Sequence, residues 1–308
     1  MSAHPDRLPL AGTANPTRCD TTIAAADGRS LGASIFRPRD GADPEQAVVV
    51  NSATGVPRRF YDGYASYLRD HGIGVVLYDY RGIGDSRFGS VRACDATMED
   101  WGRLDYPAAL AAATAAFPKA RCSVVGHSAG GWLAGLPHDD GVVNSVITVG
   151  TQSGHWRWWS GADRVKMAAL WFGVMPAVTA ALGYYPAKRL GAGEDLPAGV
   201  ARQWAYWGRH ADYLVDERGT PMRDGFSSLA VPVRSYSFTD DRYAPRAAVD
   251  DIHALFVQAD VERIHLSPEE AGAEQIGHFG FFRAEHQHTL WADALRFLLG
   301  PGVSGHPA

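Results

Sequence analysis

Gly126-His127-Ser128-Ala129-Gly130 is the stretch on which the fold of this chain turns. Before it runs Arg121-Cys122-Ser123-Val124-Val125, with the length and apolar content of a buried strand. After it come Gly131-Trp132-Leu133-Ala134-Gly135-Leu136, which can open a helix. Strand, G-x-S-x-G and helix in that order hold a serine hydroxyl clear of a strand end, with a helix N-terminus behind it. The backbone of so sharp a turn is strained, and the flanking glycines keep side chains from colliding across it. The pattern is common by chance, so its meaning depends on the rest of the chain.

The surroundings supply a consistent rhythm. Thr21 to Pro38 reads as a β-hairpin around the turn signal Asp27-Gly28. Ala47 to Val50 is a short buried strand that ends in Asn51-Ser52-Ala53-Thr54-Gly55. Phe60 to His71 has helical spacing and stops at Gly72; Gly74 to Asp79 is the next buried strand. Thr97 to Phe117 is a helix, and Val142 to Val149 a strand. Val231 to Phe238 restarts the pattern, followed by a helix at Arg246 to Val257, a strand at Val261 to Leu266 and a last helix at Arg283 to Leu299. This alternation predicts an α/β fold: a mostly parallel sheet with helices on both faces.

The rhythm fails across residues 151–228. That region holds six of the nine tryptophans, Trp156, Trp158, Trp159, Trp171, Trp204 and Trp207, and reads as helical with no strand pattern. An insertion between two strands is expected to sit over the strand ends as a cap, with most of its tryptophans building its own core and some lining a pocket. Within it, Met167 to Tyr185 is uncharged. Pro176, Gly173 and Gly183 interrupt it, so two short helices broken at Pro176 are expected and no integral membrane segment. The expected division is a flexible lead-in at 1–20, a core at 21–150, the helical cap at 151–228, a second core part at 229–300 and a flexible tail at 301–308.

Bulk properties narrow the function. The 308 residues carry a formal net charge of -5, with 46% hydrophobic and 20% charged residues, and no run of Lys and Arg, so nucleic acid is not an expected partner. Cys19, Cys94 and Cys122 are scattered, which suggests neither a disulfide framework nor a zinc ribbon and fits a cytoplasmic setting. The N-terminus lacks the apolar core of a signal peptide. An apolar cap surface can face either a pocket or a second copy, so a homodimer is open.

A serine hydroxyl needs a base within hydrogen-bond reach, and the base needs a third group to fix its tautomer. Behind a strand-turn-helix of this kind, the order along the chain is serine, acid, histidine. Asp240 and Asp241 follow the strand at Val231 to Phe238 and are the acid candidates. His278 lies between glycines in Ile276-Gly277-His278-Phe279-Gly280, after the last strand and before the last helix, and is the base candidate. Two rival readings are weaker. Gly82-Ile83-Gly84 lacks the third glycine of a dinucleotide fingerprint, since Arg87 stands there. His286 and His288 are two apart on an expected helix and point away from each other, so no metal site with His278 is expected, and no cofactor.

Taken together, these motifs resemble the α/β-hydrolase fold superfamily, in particular its serine-aminopeptidase-like or lysophospholipase-like branch. Tyr78-Asp79-Tyr80-Arg81-Gly82-Ile83-Gly84-Asp85-Ser86 resembles the D-x-R-G-x-G-x-S segment after the fourth strand, and Gly126 to Gly130 the nucleophile elbow. Asp241 to Pro245 resembles the acid loop, an aspartate four residues before a proline, which favours Asp241 over Asp240. The likeness spans roughly residues 20–150 and 229–300. It implies a serine hydrolase that cleaves an ester or thioester of a largely apolar small molecule, with Ser128 as nucleophile, His278 as base and Asp241 as acid. An acyltransferase or cyclase using the same triad, or a non-acylating use of the fold, is the alternative. The chain departs from the family at one place, where His-Gly is usual after the third strand. Counting back from Phe60-Tyr61 sets Ser52-Ala53 there and makes Thr54 the oxyanion donor, with Ala53 as runner-up and Ala129 as second donor. Asp79 and Asp85 are expected to hold their loops, and Arg157, Arg164 or Arg202 to bind any substrate carboxylate, though surface salt bridges are the plainer role.

Overall fold

In a computed structural model of the chain, the described residues are 17–300. Ten strands occur among them: β1 (Arg18–Ala24), β2 (Ser30–Phe36), β3 (Gln46–Asn51), β4 (Gly74–Tyr78), β5 (Arg121–His127), β6 (Val143–Val149), β7 (Tyr184–Tyr185), β8 (Leu196–Pro197), β9 (Pro232–Phe238) and β10 (Asp260–Leu266). Eight of them form one sheet in the order β1-β2-β4-β3-β5-β6-β9-β10. β1 and β2 pair antiparallel, as do β2 and β4, and every later pair is parallel. The mostly parallel sheet read from the apolar runs is therefore found.

Its centre follows from two-residue periodicity. Val49, Val76, Val124 and Val146 belong to one buried cluster, and Val48, Val50, Val75, Leu77, Val125 and Ile147 to another. Consecutive valines thus serve opposite faces, and each face is covered by helices.

The helices are α1 (Asp62–Asp70), α2 (Met98–Asp100), α3 (Tyr106–Ala116), α4 (Ala129–Leu133), α5 (Gly161–Ala169), α6 (Met175–Leu182), α7 (Ala198–Arg209), α8 (Asp224–Ser228), α9 (Arg246–His253) and α10 (Leu290–Leu299). Thr97 opens α2 with a capping box: its hydroxyl accepts from Asp100 N–H, and the Asp100 carboxylate accepts from Thr97 N–H. A π turn, Trp101–Asp105, joins α2 to α3.

Several boundaries differ from the sequence reading. The hairpin starts at Arg18, so residues 18–20 belong to β1; the remainder of the expected lead-in, 1–16, and the expected tail, 301–308, lie outside the described residues except for residue 17. The last helix begins at Leu290, because Gly280–Phe282 and Ala284–His286 form separate 3-10 turns that close the histidine loop. Pro176 does not break the helix. α5, a π turn at Leu170–Val174 and α6 run on as one helix, Gly161–Leu182, and the wider turn before Pro176 accommodates its missing N–H. The segment between β6 and β9 also carries a small antiparallel pair, β7 with β8, formed by two residues on each side, too short to leave an alternating pattern in the sequence.

That segment packs around its tryptophans. Trp171 and Trp207 are fully buried, and their indoles donate to Gly154 O (2.9 Å) and Val215 O (2.7 Å). Trp207 stands edge-on to Trp132 of α4, at 5.5 Å, so the insertion shares a core with the helix that follows Ser128. Glu194 N–H donates to Gly55 O at 2.7 Å, which ties the insertion to the loop after β3.

Candidate active site

β5 ends at His127, and Ser128 follows with φ 52° and ψ -118°, a conformation rare for any residue but glycine. Strain of this kind, of order 1–3 kcal/mol, persists where surrounding structure imposes it. Here Ser128 N–H donates to Val149 O at 2.8 Å, and Thr151 Oγ1 donates to Ser128 O at 2.9 Å. Gly130 makes the close approach possible: a Cβ there would lie 2.2 Å from Asn51 O. Asn51 Nδ2 in turn donates to Gly130 O at 3.1 Å, so the end of β3 is clamped to α4.

His278 and Asp241 meet beside this turn. His278 Nδ1 lies 2.7 Å from Asp241 Oδ2, with both side chains nearly enclosed, at 7% and 0% exposure. The pair lies against Gly150, where a Cβ would come within 3.1 Å of His278 Nδ1 and 3.2 Å of Asp241 Oδ2. Asp241 Oδ1 accepts from Tyr243 N–H (2.8 Å) and Ala244 N–H (3.1 Å), which fixes the carboxylate. Asp240, the other acid candidate, holds backbone instead. Its Oδ2 accepts from Ile276 N–H at 2.8 Å and Gly277 N–H at 3.0 Å, and so anchors the loop that carries His278. Two adjacent aspartates thus hold one histidine, by its ring and by its loop.

Ser128 Oγ has one side-chain partner among the described residues, Gln152 Oε1 at a long 3.5 Å, and His278 Nε2 has none. Gln152 carried no sequence signal. Across the site, Ala53 N–H is already committed, donating to Tyr61 Oη at 2.9 Å. Thr54 N–H has no acceptor among the described residues, and Ala129 N–H, the first of α4, has none within its helix.

The sequence reading also missed a buried chain of hydrogen bonds through His127. His127 Nε2 lies 2.8 Å from His278 O, a carbonyl that can only accept, so Nε2 carries the proton. Nδ1 is then an acceptor, and Tyr61 O–H donates to it at 2.8 Å. Burial, and next to it the nearby His278, holds His127 well below the usual histidine pKa, consistent with one neutral tautomer. The chain Ala53 N–H to Tyr61 to His127 to the carbonyl of His278 therefore joins the loop after β3, the end of β5 and the histidine loop. His127 sat in the motif, but nothing in the sequence linked Tyr61 to it.

The other motif residues are structural. Asp79, 1% exposed, accepts from the backbone of Arg58 (2.6 Å) and Asp85 (3.0 Å) and pairs with the buried Arg58 guanidinium. Burial raises its pKa against the pull of Arg58. Ser86 Oγ donates to Asp79 O at 2.6 Å and accepts from Gly32 N–H at 2.8 Å. Asp85 pairs with Arg58 and Arg59. Of the arginine candidates, Arg164 donates to Trp159 O, Arg157 stacks on Trp156, and Arg202 lines a surface cavity of about 340 Å³ bordered by neither Ser128 nor His278. Among the described residues no group of three or more His, Cys, Asp and Glu converges on a common point.

The sequence pattern of the alpha/beta hydrolase family matches residues 47–292. The chain belongs to that family and is an enzyme of the hydrolase class. Among solved structures, it is similar to an esterase of Exiguobacterium antarcticum, EaEST, at 17% identity and TM-score 0.57, over 92% of this chain and 100% of the other. It is likewise similar to the Pyrococcus furiosus esterase PF2001, at 15% identity and TM-score 0.60, over 94% and 95%. The mouse alpha/beta hydrolase domain-containing protein 10 aligns at 13% identity and TM-score 0.57, over 90% and 96%. No curated protein matches the chain.

Proposed function

We propose that the chain is a serine esterase or thioesterase acting on a largely apolar acyl substrate. One observation carries the reading: a serine strained to φ 52° at a strand end, with a histidine–aspartate pair at 2.7 Å beside the same strand ends. Ser128 Oγ rotates about χ1 from Gln152 to His278 Nε2, which takes its proton as the oxygen bonds to the acyl carbon. The carbonyl electron pair moves onto oxygen, and the N–H groups of Thr54 and Ala129 receive that charge, each worth about 3 kcal/mol. Collapse of the adduct breaks the bond to the alcohol or thiol, which leaves with the proton from His278. Water then adds to the acyl carbon while His278 accepts its proton; collapse of this second adduct breaks the bond to Ser128 Oγ, which takes the proton back from His278 as the acid leaves. Asp241 keeps the ring in the tautomer that leaves Nε2 free.

The committed Ala53 N–H supports Thr54 as the donor, despite the missing His-Gly. The surroundings of His278 support an apolar acyl group. Tyr243 and Phe279 have rings 5.3 and 5.2 Å from the His278 ring, and Phe60 lies 6.0 Å from Phe279; all three aromatics are exposed.

Hydrolysis of a p-nitrophenyl ester series of increasing chain length tests this. Medium or long acyl chains are expected to be preferred over acetate, and Ser128→Ala and His278→Ala each to lower kcat at least ~10³-fold. Retention of most activity by either variant would exclude the triad.

A further inference from the structure

Helix Gly161–Leu182 is unusual for a folded surface. It is 22 residues long and apolar enough to cross a membrane, yet most of it is not buried. Trp171, Met175 and Thr179 face inward. The outward side shows Ala169, Phe172, Gly173, Val174, Ala177 and Ala180, where an outer helix face is normally polar. Phe172 is 56% exposed and Val174 48%. No charged residue occurs from Met167 to Ala187.

Cations border this face. Lys166 stands at one end; Lys188 and Arg189 stand at the other, followed by Leu190 at 62% exposure. Arg209 lies 6.0 Å over the Phe172 ring, and Arg157 lies 5.2 Å over Trp156, which is edge-on to Phe172. Of the nearby acids, Asp163 is paired with Arg242 and Lys166 and Glu194 with Arg87 at 3.8 Å, while the Asp195 carboxylate accepts from the backbone N–H of Lys188.

We propose that this face docks the protein on an anionic lipid membrane, with the helix lying in the plane of the interface. Its aromatic and aliphatic side chains enter the acyl boundary, and the basic rim meets lipid phosphates. A second copy is the poorer complement. Two-fold antiparallel pairing would set Lys166 of one copy against Lys188 and Arg189 of the other. Spanning the bilayer is poorer still, because it would strip Trp171, Met175 and Thr179 from their packing. The inference is independent of any chemistry at Ser128.

Co-sedimentation of the full chain with vesicles tests it, using phosphatidylcholine alone and with phosphatidylserine added. Binding should require the anionic lipid and weaken with salt. Lys188→Gln and Arg189→Gln should each lower partitioning about fivefold. Phe172→Asp with Val174→Asp should abolish it while leaving the far-UV circular dichroism spectrum and ester hydrolysis unchanged, since both side chains are about half exposed. The proposal is overturned by an absence of binding at any lipid composition, or by binding indifferent to these substitutions. It is equally overturned by a dimer in analytical ultracentrifugation that Ala177→Glu dissociates in a protein that ignores vesicles.

Discussion

Replacing Tyr61 by Phe removes one oxygen and breaks the buried chain in two places. Ala53 N–H loses its acceptor at 2.9 Å, and His127 Nδ1 its donor at 2.8 Å. No water can substitute easily, because Tyr61 and His127 are both 0% exposed. An orphaned buried polar group costs ~1–3 kcal/mol, so two orphans, partly relaxed, should cost about 3 kcal/mol. With about 2.1 cal/mol/K of unfolding entropy per residue, that lowers Tm by about 5 °C in a chain of this size. The consequence for catalysis is specific. Ala53 is freed to move, and Thr54 N–H moves with it, while the groups proposed to contact ground-state substrate stay in place. We expect kcat to fall ~10–100-fold with KM little changed, since an oxyanion donor acts in the transition state. Affinity for a trifluoromethyl ketone, which mimics the oxyanion, should fall in parallel. Calorimetry, ester kinetics and inhibition by the ketone read the three effects. A Tm within about 1 °C of wild type, or a kcat loss with ketone affinity unchanged, would refute this role for Tyr61.

Arg58→Ala leaves the Asp79 carboxylate buried without its partner and should cost ~3–5 kcal/mol in urea unfolding. Gly130→Ala should yield little folded protein, since its Cβ meets Asn51 O at 2.2 Å, whereas Gly173→Ala, with nothing within 4 Å, should be silent in expression and melting. Burial lowers the His253 pKa to about 4. As pH falls below ~6.5 the unfolded chain takes up that proton and the folded one does not. Stability is therefore lost between pH 6.5 and 4, by about 3 kcal/mol from this residue, and His253→Phe should flatten that part of the curve in unfolding at pH 7 and pH 5.

The sheet was legible because buried parallel strands demand unbroken apolar runs, and Ala47 to Val50 and Gly74 to Tyr78 obey that demand. Ser128, His278 and the two aspartates were legible because strand-end loops carry chemistry in a set order along the chain. The resemblance of Asp241 to Pro245 to an acid loop favoured Asp241 over its neighbour, but the part Asp240 plays in holding the histidine loop appears only in space. The Tyr61–His127 chain was not legible: its partners lie 8 and 66 residues apart, and a hydrogen bond leaves no periodicity in the sequence. The helix through Pro176 was misread because a proline ordinarily breaks a helix, and nothing in the sequence marks the π turn that makes room for it.

The central claim is that Ser128 is the nucleophile. The most direct test is to treat the native enzyme with a fluorophosphonate and map the adduct by mass spectrometry of its peptides. A single adduct on Ser128, lost in His278→Ala and in heat-unfolded protein, is the expected result. No adduct under conditions that label a control serine hydrolase, or an adduct on another residue with Ser128 unmodified, would contradict it.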